Sequence, residues 1–161
     1  MSDTSLSGHI RTATLDDVPT ILKLINGHAK KGLMLMKSPV DIYHNIFNFV
    51  VFETDGKVVG CSRLSILWKD IGEVASLAVS DNYKRRGIGK ILVNACLDKA
   101  HMIGLPQVFT LTYQVDFFKN CGFKKVKKET LPYKVFGDCL KCPKVECCDE
   151  TAMLYTINTA N

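Results

Sequence analysis

Residues 77–90 read Leu-Ala-Val-Ser-Asp-Asn-Tyr-Lys-Arg-Arg-Gly-Ile-Gly-Lys, the most informative stretch of the chain. A short apolar strand leads through a basic loop into a segment whose apolar residues recur at helical spacing, at Ile88, Ile91, Leu92 and Ala95. Successive backbone N–H groups at the start of a helix bind anions, and glycines let a phosphate approach the backbone closely. The stretch therefore predicts a strand–loop–helix unit that binds a ligand carrying a diphosphate group.

Two common phosphate-binding loops do not fit this sequence. A dinucleotide-binding fingerprint requires a third glycine at the position of Leu92. A P-loop requires a glycine at the position of Lys84 and a serine or threonine at the position of Ile91. A solvated basic turn, whose glycines only suit the backbone, is the alternative interpretation. An anion site is favoured because the glycines coincide with four basic side chains, Lys84, Arg85, Arg86 and Lys90.

The segments on either side of this loop predict an α+β fold. Helices are expected from Val18, from the Ser38-Pro39 pair, over 88–103 and over 115–120. Strands are expected over 9–14, 49–54, 57–68, 71–79, 107–112, 123–126 and 153–157. Asp55-Gly56 is a strong hairpin signal between two of them. Three antiparallel strands followed by a β-α-β unit indicate a mixed, mostly antiparallel sheet flanked by helices.

The composition excludes several classes of protein. The 161 residues are 47% hydrophobic and 23% charged, which is typical of a single globular domain over residues 1–161. No stretch approaches the roughly 18 apolar residues of a transmembrane helix. The first residues lack the features of a secretory signal, so a cytoplasmic location without membrane contact is expected. The net charge of +5 suits an anionic small molecule, and no nucleic-acid partner is predicted because the basic loop lacks interleaved aromatic residues.

The seven cysteines do not indicate a disulfide framework, because their number is odd and no secretory signal precedes them. Cys61, Cys96 and Cys121 lie in apolar segments and are expected to be buried thiols. A cysteine-rich C-terminal segment, about 131–150, holds the other four, Cys139, Cys142, Cys147 and Cys148. Zinc ligation and a redox-sensitive lid are alternatives there. No metal is predicted, because adjacent cysteines rarely ligate one tetrahedral ion.

The basic loop resembles the pyrophosphate loop of the GNAT superfamily of acetyl-CoA-dependent N-acetyltransferases. The family pattern is Gln/Arg-x-x-Gly-x-Gly/Ala, and residues 84–89 read Lys-Arg-Arg-Gly-Ile-Gly, with lysine in the first position. Residues 9–14, the hairpin at 55–60 and residues 117–123 are also similar to the family, in the family's order. The resemblance implies a GNAT fold whose sheet splays between the strands that end at Val79 and Thr112.

Acetyl-CoA is the cosubstrate that this resemblance implies. Its pantetheine arm would lie where the sheet splays and would hydrogen-bond to the backbone of the strand that ends at Val79. Its pyrophosphate would meet the amides of the basic loop. The implied cofactor-binding residues are Leu77, Ala78, Val79, Lys84, Arg85, Arg86, Gly87, Ile88, Gly89 and Lys90.

Acetyl transfer to an amine requires a base for the ammonium and an acid for the leaving thiolate. Glu73 lies five residues before Ala78, and similar histone-acetylating enzymes carry at this spacing a glutamate that acts as the base. Partial burial of the Glu73 carboxyl would raise its pKa. A surface glutamate after a turn is the alternative. Phe118 occupies the position of the tyrosine that protonates the sulfur in many relatives. Tyr113 or water is the candidate replacement, and Tyr113 is otherwise an aromatic residue at the rim.

A second resemblance concerns the acceptor. Residues 30–38, 59–61, 72–79 and 109–112 look like the acetyltransferase domain of the N-acetylglutamate synthases, without their amino-acid-kinase domain. In that family a basic residue before the second helix helps to hold a substrate carboxylate, and Lys37 occupies this place. Free N-cap amides at Ser38 would also favour an anion, and Arg63 is a further candidate.

The leading hypothesis is an enzyme that acetylates the α-amine of a small amino acid, with glutamate as the best candidate and arginine biosynthesis as its setting. One alternative is acetylation of another amine, on a protein, a polyamine or a drug. A second is an acetyl-CoA-responsive binding module without catalysis, which Phe118 keeps open. The expected partner is a small-molecule amino acid, and a homodimer stays an open question.

Overall fold

A computed structural model describes residues 6–131 and 149–158. Four α-helices lie in these residues: α1 (Val18–Ala29), α2 (Pro39–His44), α3 (Ile88–Met102) and α4 (Val115–Asn120). Seven strands lie in them as well: β1 (Gly8–Thr12), β2 (Phe49–Thr54), β3 (Lys57–Trp68), β4 (Ile71–Val79), β5 (Gln107–Thr112), β6 (Lys124–Lys125) and β7 (Thr151–Thr156). The predicted order of elements is confirmed, with shorter first and sixth strands.

The strands form one mixed sheet in the order β1-β2-β3-β4-β5-β7-β6. The pair β4–β5 is parallel, and the other five pairs are antiparallel. This confirms the mixed, mostly antiparallel sheet. The strand β7 lies between β5 and β6, so it borders the parallel pair β4–β5 on the side of β5.

Helices cover both faces of this sheet, α3 on one side and α1 with α2 on the other. Alternate apolar side chains of β2 pack against the two sets of helices. Val50 and Phe52 share a core with the buried face of α3, whose members are Ile88, Leu92, Val93, Cys96, Leu97 and Ala100. Phe49 and Val51 share a second core with the helices α1 and α2, whose buried members are Val18, Ile21, Ile25 and Ile42. Burying a large apolar side chain contributes about 1.5–3 kcal/mol. The two cores therefore fix the sheet from both sides.

Local sequence signals account for the entry and exit of several elements. Asp55 and Gly56 both have left-handed backbone angles, φ 52° and φ 72°, as a two-residue hairpin turn requires. Gly60 permits close packing of α3 on β3, since a Cβ there would come within 2.9 Å of Leu92 Cδ1. Thr14 and Asp17 form the predicted capping box ahead of α1.

An ion pair holds the start of α1 against the first two strands. The Arg11 guanidinium donates to Asp17 Oδ2 at 2.7 Å and to Glu53 Oε2 at 2.8 Å. The hydrogen bond from Arg11 lowers the pKa of Asp17 below its ordinary 3.8, and the two carboxylates raise the pKa of Arg11. Because Asp17 is buried, its charge depends on Arg11 for compensation.

The expected buried thiols are confirmed, since Cys61, Cys96 and Cys121 are free and buried. Burial raises the pKa of Cys61 to about 12 and that of Cys96 to about 11, so both stay protonated near neutral pH. The other four cysteines lie outside the described residues. Within residues 6–131 and 149–158, no cluster of metal-ligating side chains occurs. No helix of those residues has the length and apolar character needed to cross a membrane.

Candidate active site

The sheet opens between β4 and β5, as the family resemblance implied. Gly72 pairs with Val108 and Glu73 with Phe109, and these are the two paired positions between the strands. One residue further on, the Thr110 hydroxyl donates to the Val74 carbonyl at 3.0 Å. Beyond this bond both strands line a cavity of about 1070 Å³. The opening is large enough for a cofactor arm and a small acceptor.

A β-bulge turns β4 toward this cavity. The register with β3 shifts between the pairs Cys61–Ala78 and Arg63–Ala75, and Ser76 has a left-handed φ of 55°. Bulges of this kind re-aim a strand beside a site. Ser76, Leu77 and Val79 line the cavity, whereas the Ala78 side chain is 2% exposed and packs in the core with Cys61.

The basic loop closes one end of the cavity and leads into α3. Arg85 and Gly87 both have left-handed backbone angles, φ 62° and φ 83°. The Ile91 amide donates to the Gly87 carbonyl at 3.2 Å, so the amides of residues 88–90 precede the first bond of the helix and carry its positive dipole end. A Cβ at Gly87 would meet no atom within 4 Å, which leaves the space in front of the loop open.

Positive charge at this end comes from three of the four predicted side chains, because Lys84, Arg85 and Lys90 line the cavity. Arg86 differs. Its guanidinium lies over the Tyr83 ring at 5.2 Å, and it does not line the cavity. Its proposed contact with the cofactor is therefore limited to its backbone.

Asp81 joins the basic loop to a distant lysine. Its carboxylate accepts from Lys84 Nζ at 2.8 Å and from Lys31 Nζ at 3.2 Å. The hydrogen bond from Lys84, supported by Lys31, lowers the pKa of Asp81 to about 2. Asp81 is consequently ionised near neutral pH and offsets part of the positive charge of the loop.

A carboxylate and a guanidinium line the cavity near the point where the sheet opens. Glu73 lies on β4 opposite Ser65 of β3, and it lines the cavity. Arg63 lies two residues earlier on β3, opposite Ala75, and also lines the cavity although it is only 6% exposed. Electrostatic interactions of such a desolvated cation are stronger than those of a surface lysine.

The two aromatic residues discussed for the leaving thiolate have different environments. Tyr113 lines the cavity, and its hydroxyl donates to Asp149 Oδ1 at 2.7 Å. Phe118 is 4% exposed and packs edge-to-face with Phe117 at 5.0 Å and with Phe123 at 5.2 Å. Phe118 also borders the cavity, but its phenyl ring has no proton to donate.

The expectation for the N-cap of α2 is partly wrong. Ser38 is the N-cap, but its amide donates to Asp41 Oδ2 at 2.8 Å, and its hydroxyl accepts from the Asp41 amide at 3.2 Å. The cap is thus closed by a carboxylate and is not free to hold an anion. Ser38 does not line the cavity, whereas the preceding Lys37 does.

Further cavity residues escaped sequence reasoning. They include His28, Tyr83, Gln114, Asn120, Cys121, Lys128 and Glu150. Burial raises the pKa of Cys121, against a smaller opposite effect of Lys90. Asn120 and Cys121 belong to the segment 117–123 that carried the family resemblance, whereas Glu150 comes from a distant segment without a local signal.

Comparisons with known proteins assign this architecture. Residues 30–123 match the acetyltransferase (GNAT) family. The chain belongs to the GNAT acetyltransferase family. It is 36% identical over 148 residues to an uncharacterised N-acetyltransferase of Chlorobaculum tepidum, which covers 92% of this chain and 96% of the relative. It is also 36% identical over 132 residues to the amino-acid acetyltransferase of Mycobacterium tuberculosis, which covers 80% of this chain and 75% of that enzyme.

Solved GNAT structures confirm the fold. A Mycobacterium tuberculosis protein in complex with CoA and a second ligand superimposes with a TM-score of 0.81 at 30% identity, over 93% of this chain and 99% of its own. N-acetylglutamate synthase from Neisseria gonorrhoeae, complexed with coenzyme A and N-acetyl-glutamate, gives 0.84 at 28% identity. That match covers 94% of this chain and 35% of the synthase, so this GNAT domain spans about a third of it. The predicted family, fold, enzyme class and acetyl-CoA cosubstrate are confirmed.

Proposed function

We propose that this GNAT enzyme transfers the acetyl group of acetyl-CoA to the α-amine of a small amino acid, with glutamate as the preferred acceptor. The observation that carries the proposal is the charge of the cavity. Arg63, Lys37 and Glu73 line it together with the basic loop. Relatives that are named amino-acid acetyltransferases support the acceptor class. Formation of N-acetylglutamate for arginine biosynthesis is part of the same proposal.

The basic loop would hold the pyrophosphate of the cosubstrate. The amides of residues 88–90 supply donors, and the helix dipole favours an anion at this point. Lys84, Arg85 and Lys90 add charge around it. Beyond the loop, the backbone of residues 77–79 would hydrogen-bond with the pantetheine arm in place of the missing partner strand. This arrangement points the thioester toward the bulge at Ser76 and the start of the opening.

Glu73 is the proposed base. It would take a proton from the substrate ammonium, directly or through water, and the free amine would then attack the thioester carbonyl. The new C–N bond forms as the C–S bond breaks, and the sulfur leaves with the electron pair of that bond. Each such proton transfer typically contributes 10²–10⁴-fold to the rate.

The departing thiolate needs a proton from a source other than Phe118. The Tyr113 hydroxyl lines the cavity, and its bond to Asp149 orients it. Tyr113 would donate a proton to the thiolate after its hydroxyl releases Asp149, or it would position a water molecule. That water molecule is the alternative source of the proton.

Lys37 and Arg63 would bind the acceptor carboxylates. Charge-assisted hydrogen bonds of this kind contribute about 1.5–3 kcal/mol each. Arg63 is the stronger candidate on electrostatic grounds, because its burial removes competing water. A polyamine or lysine-rich acceptor would bring like charges against these two residues, so it is the less favoured candidate. A cytoplasmic location stays a prediction.

A turnover assay tests the proposal directly. Purified protein is mixed with acetyl-CoA and one acceptor, release of CoA is followed, and the product is identified by mass spectrometry. We expect turnover with glutamate, weaker turnover with glutamine, and none with α-ketoglutarate, which has no amine. Turnover of a lysine-rich peptide without turnover of glutamate would show that the acceptor class is wrong. Binding of acetyl-CoA without turnover of any amine would favour the non-catalytic module.

A further inference from the structure

The side chain of Asn26 clamps the backbone of Lys37. Its Nδ2 donates to the Lys37 carbonyl at 3.0 Å, and its Oδ1 accepts from the Lys37 amide at 2.9 Å. Eleven residues separate the two positions. Asn26 thus satisfies both backbone groups of one residue, in the way that a neighbouring strand would.

Asn26 itself sits at a fixed place in the fold. It follows Ile25, which is 0% exposed in the core between α1 and the sheet. The α1 helix is therefore held against the core, and the Asn26 carboxamide ties the connection between α1 and α2 to this helix.

That connection has few other anchors. The amides of Lys30, Lys31, Gly32 and Leu33 all return to carbonyls of residues 26–29, at the end of α1. Among the described residues that follow, the Asn26–Lys37 pair is the next backbone anchor before the cap of α2. The Lys31–Asp81 ion pair is exposed, and such pairs contribute little. The position of the Lys37 Cα thus depends on Asn26.

We propose that Asn26 is a positioning residue for acceptor binding, which acts by fixing Lys37 so that its ammonium faces the acceptor end of the cavity. The inference rests on the proposed function, since Lys37 has there the role of a carboxylate ligand. Asn26 acts through Lys37 and is not assigned a contact with either substrate. Displacing a substrate ligand by about 1 Å is enough to reduce binding or rate strongly.

Two substitutions separate positioning from folding. Asn26→Ala removes both hydrogen bonds. Asn26→Asp has nearly the same shape and still accepts from the Lys37 amide, but its carboxylate faces the Lys37 carbonyl without a proton to donate. Asn45→Ala is the matched control, because Asn45 Nδ2 also donates to a backbone carbonyl, that of Asp41 at 2.8 Å, but Asn45 does not line the cavity.

We expect both Asn26 variants to raise KM for glutamate by about fivefold to tenfold. This corresponds to the loss of about one hydrogen bond between Lys37 and the acceptor carboxylate. The kcat and the KM for acetyl-CoA should stay within about twofold, and Asn45→Ala should leave all three unchanged. For Asn26→Asp, the excess in KM over wild type should shrink as the pH falls toward the pKa of the new carboxyl group, because the protonated form can donate to Lys37 again. A merely structural role would instead impair kcat and the KM for acetyl-CoA together with the KM for glutamate.

A double-mutant cycle completes the test. In the Lys37→Ala background, Asn26→Ala should add less than about twofold to KM, because its effect passes through Lys37. Independent, multiplying effects would overturn the inference, as would normal glutamate kinetics of both single variants while Lys37→Ala is impaired. If wild type does not turn over glutamate, the proposed function fails and the inference fails with it. If wild type turns over glutamate but Lys37→Ala is unimpaired, the proposed function stands and the inference is overturned.

Discussion

Glu73 of β4 and Phe109 of β5 form the last paired position before the sheet opens. Residue 73 is consequently held by hydrogen-bonded strands on both sides, opposite Ser65 of β3 and Phe109 of β5. Its side chain lies at the edge of the cavity, while its backbone belongs to the rigid part of the sheet. This is a favourable place for a base, because catalytic geometry is more precise on strands than on loops.

Replacement of this carboxylate should reduce catalysis. Glu73→Gln keeps the shape but removes the proton acceptor, so kcat should fall by about two to four orders of magnitude. The loss should shrink at high pH, where more of the free amine is present. A pH profile of kcat with glutamate measures this, and Glu129→Gln, at an exposed position, is the control. A small loss that is independent of pH would assign Glu73 a structural role.

Charge in front of the basic loop should control cofactor binding. Gly87 has φ 83°, and a Cβ there meets no atom within 4 Å, so the fold leaves room for a short side chain. Gly87→Asp would place a carboxylate beside the proposed pyrophosphate site, and the Kd for acetyl-CoA should rise on the order of a hundredfold or more. Gly87→Asn is the matched control, since asparagine tolerates the left-handed region and adds no charge. Equal losses for the two variants in calorimetry would contradict the electrostatic explanation.

Lys37 should determine acceptor affinity without affecting the cosubstrate. Lys37→Ala should raise KM for glutamate by about tenfold or more, which corresponds to one lost charge-assisted hydrogen bond. The KM for acetyl-CoA should change little, because Lys37 does not belong to the basic loop that is proposed to hold the cosubstrate. Lys23→Ala, on the exposed side of α1, controls for the change in net charge. Equal increases in the two KM values would argue against a specific role in acceptor binding.

Asp81 should weaken the attraction of the loop for phosphate. Its pKa of about 2 means that it is ionised throughout the neutral range, where it pairs with Lys84 and Lys31. Asp81→Asn should therefore lower the KM for acetyl-CoA by about twofold to threefold at low ionic strength, and the gain should disappear at high salt. The effect should not vary between pH 5 and 8. An increase in KM would mean that Asp81 mainly holds the loop in place.

Asp17 should contribute to stability in a pH-dependent way. Its pKa in the folded state is below the ordinary 3.8, chiefly because Arg11 donates a hydrogen bond to it. The stabilisation is therefore present above the unfolded pKa and is lost as pH falls through the lower folded pKa. Asp17→Asn should lower the free energy of unfolding at pH 7, and its difference from wild type should narrow at acid pH. Denaturant unfolding at several pH values measures this, and a constant difference would contradict the prediction.

Several local features could be predicted because a few neighbouring residues encode them. The Asp55-Gly56 turn, the cap of α1 and the glycine at the start of α3 each depend on backbone preferences within about four residues. The same reasoning misjudged the cap of α2, where Asp41 closes the amide of Ser38. That interaction also spans three residues, and its capping-box spacing was the signal that could have revealed it.

The order of the elements, the hairpin and the family follow from the sequence alone, because these depend on local conformation and on motifs of contiguous residues. Which side chains share the cavity depends on how the elements pack in three dimensions. Glu73, Arg63 and Lys37 come from two strands and a loop, and they line one cavity because a bulge and an early end of strand pairing open the sheet. The bond between Tyr113 and Asp149 links residues 36 apart. Contacts of this kind depend on strand register and helix packing. The packing of the whole core sets both, so no short segment of the sequence encodes them.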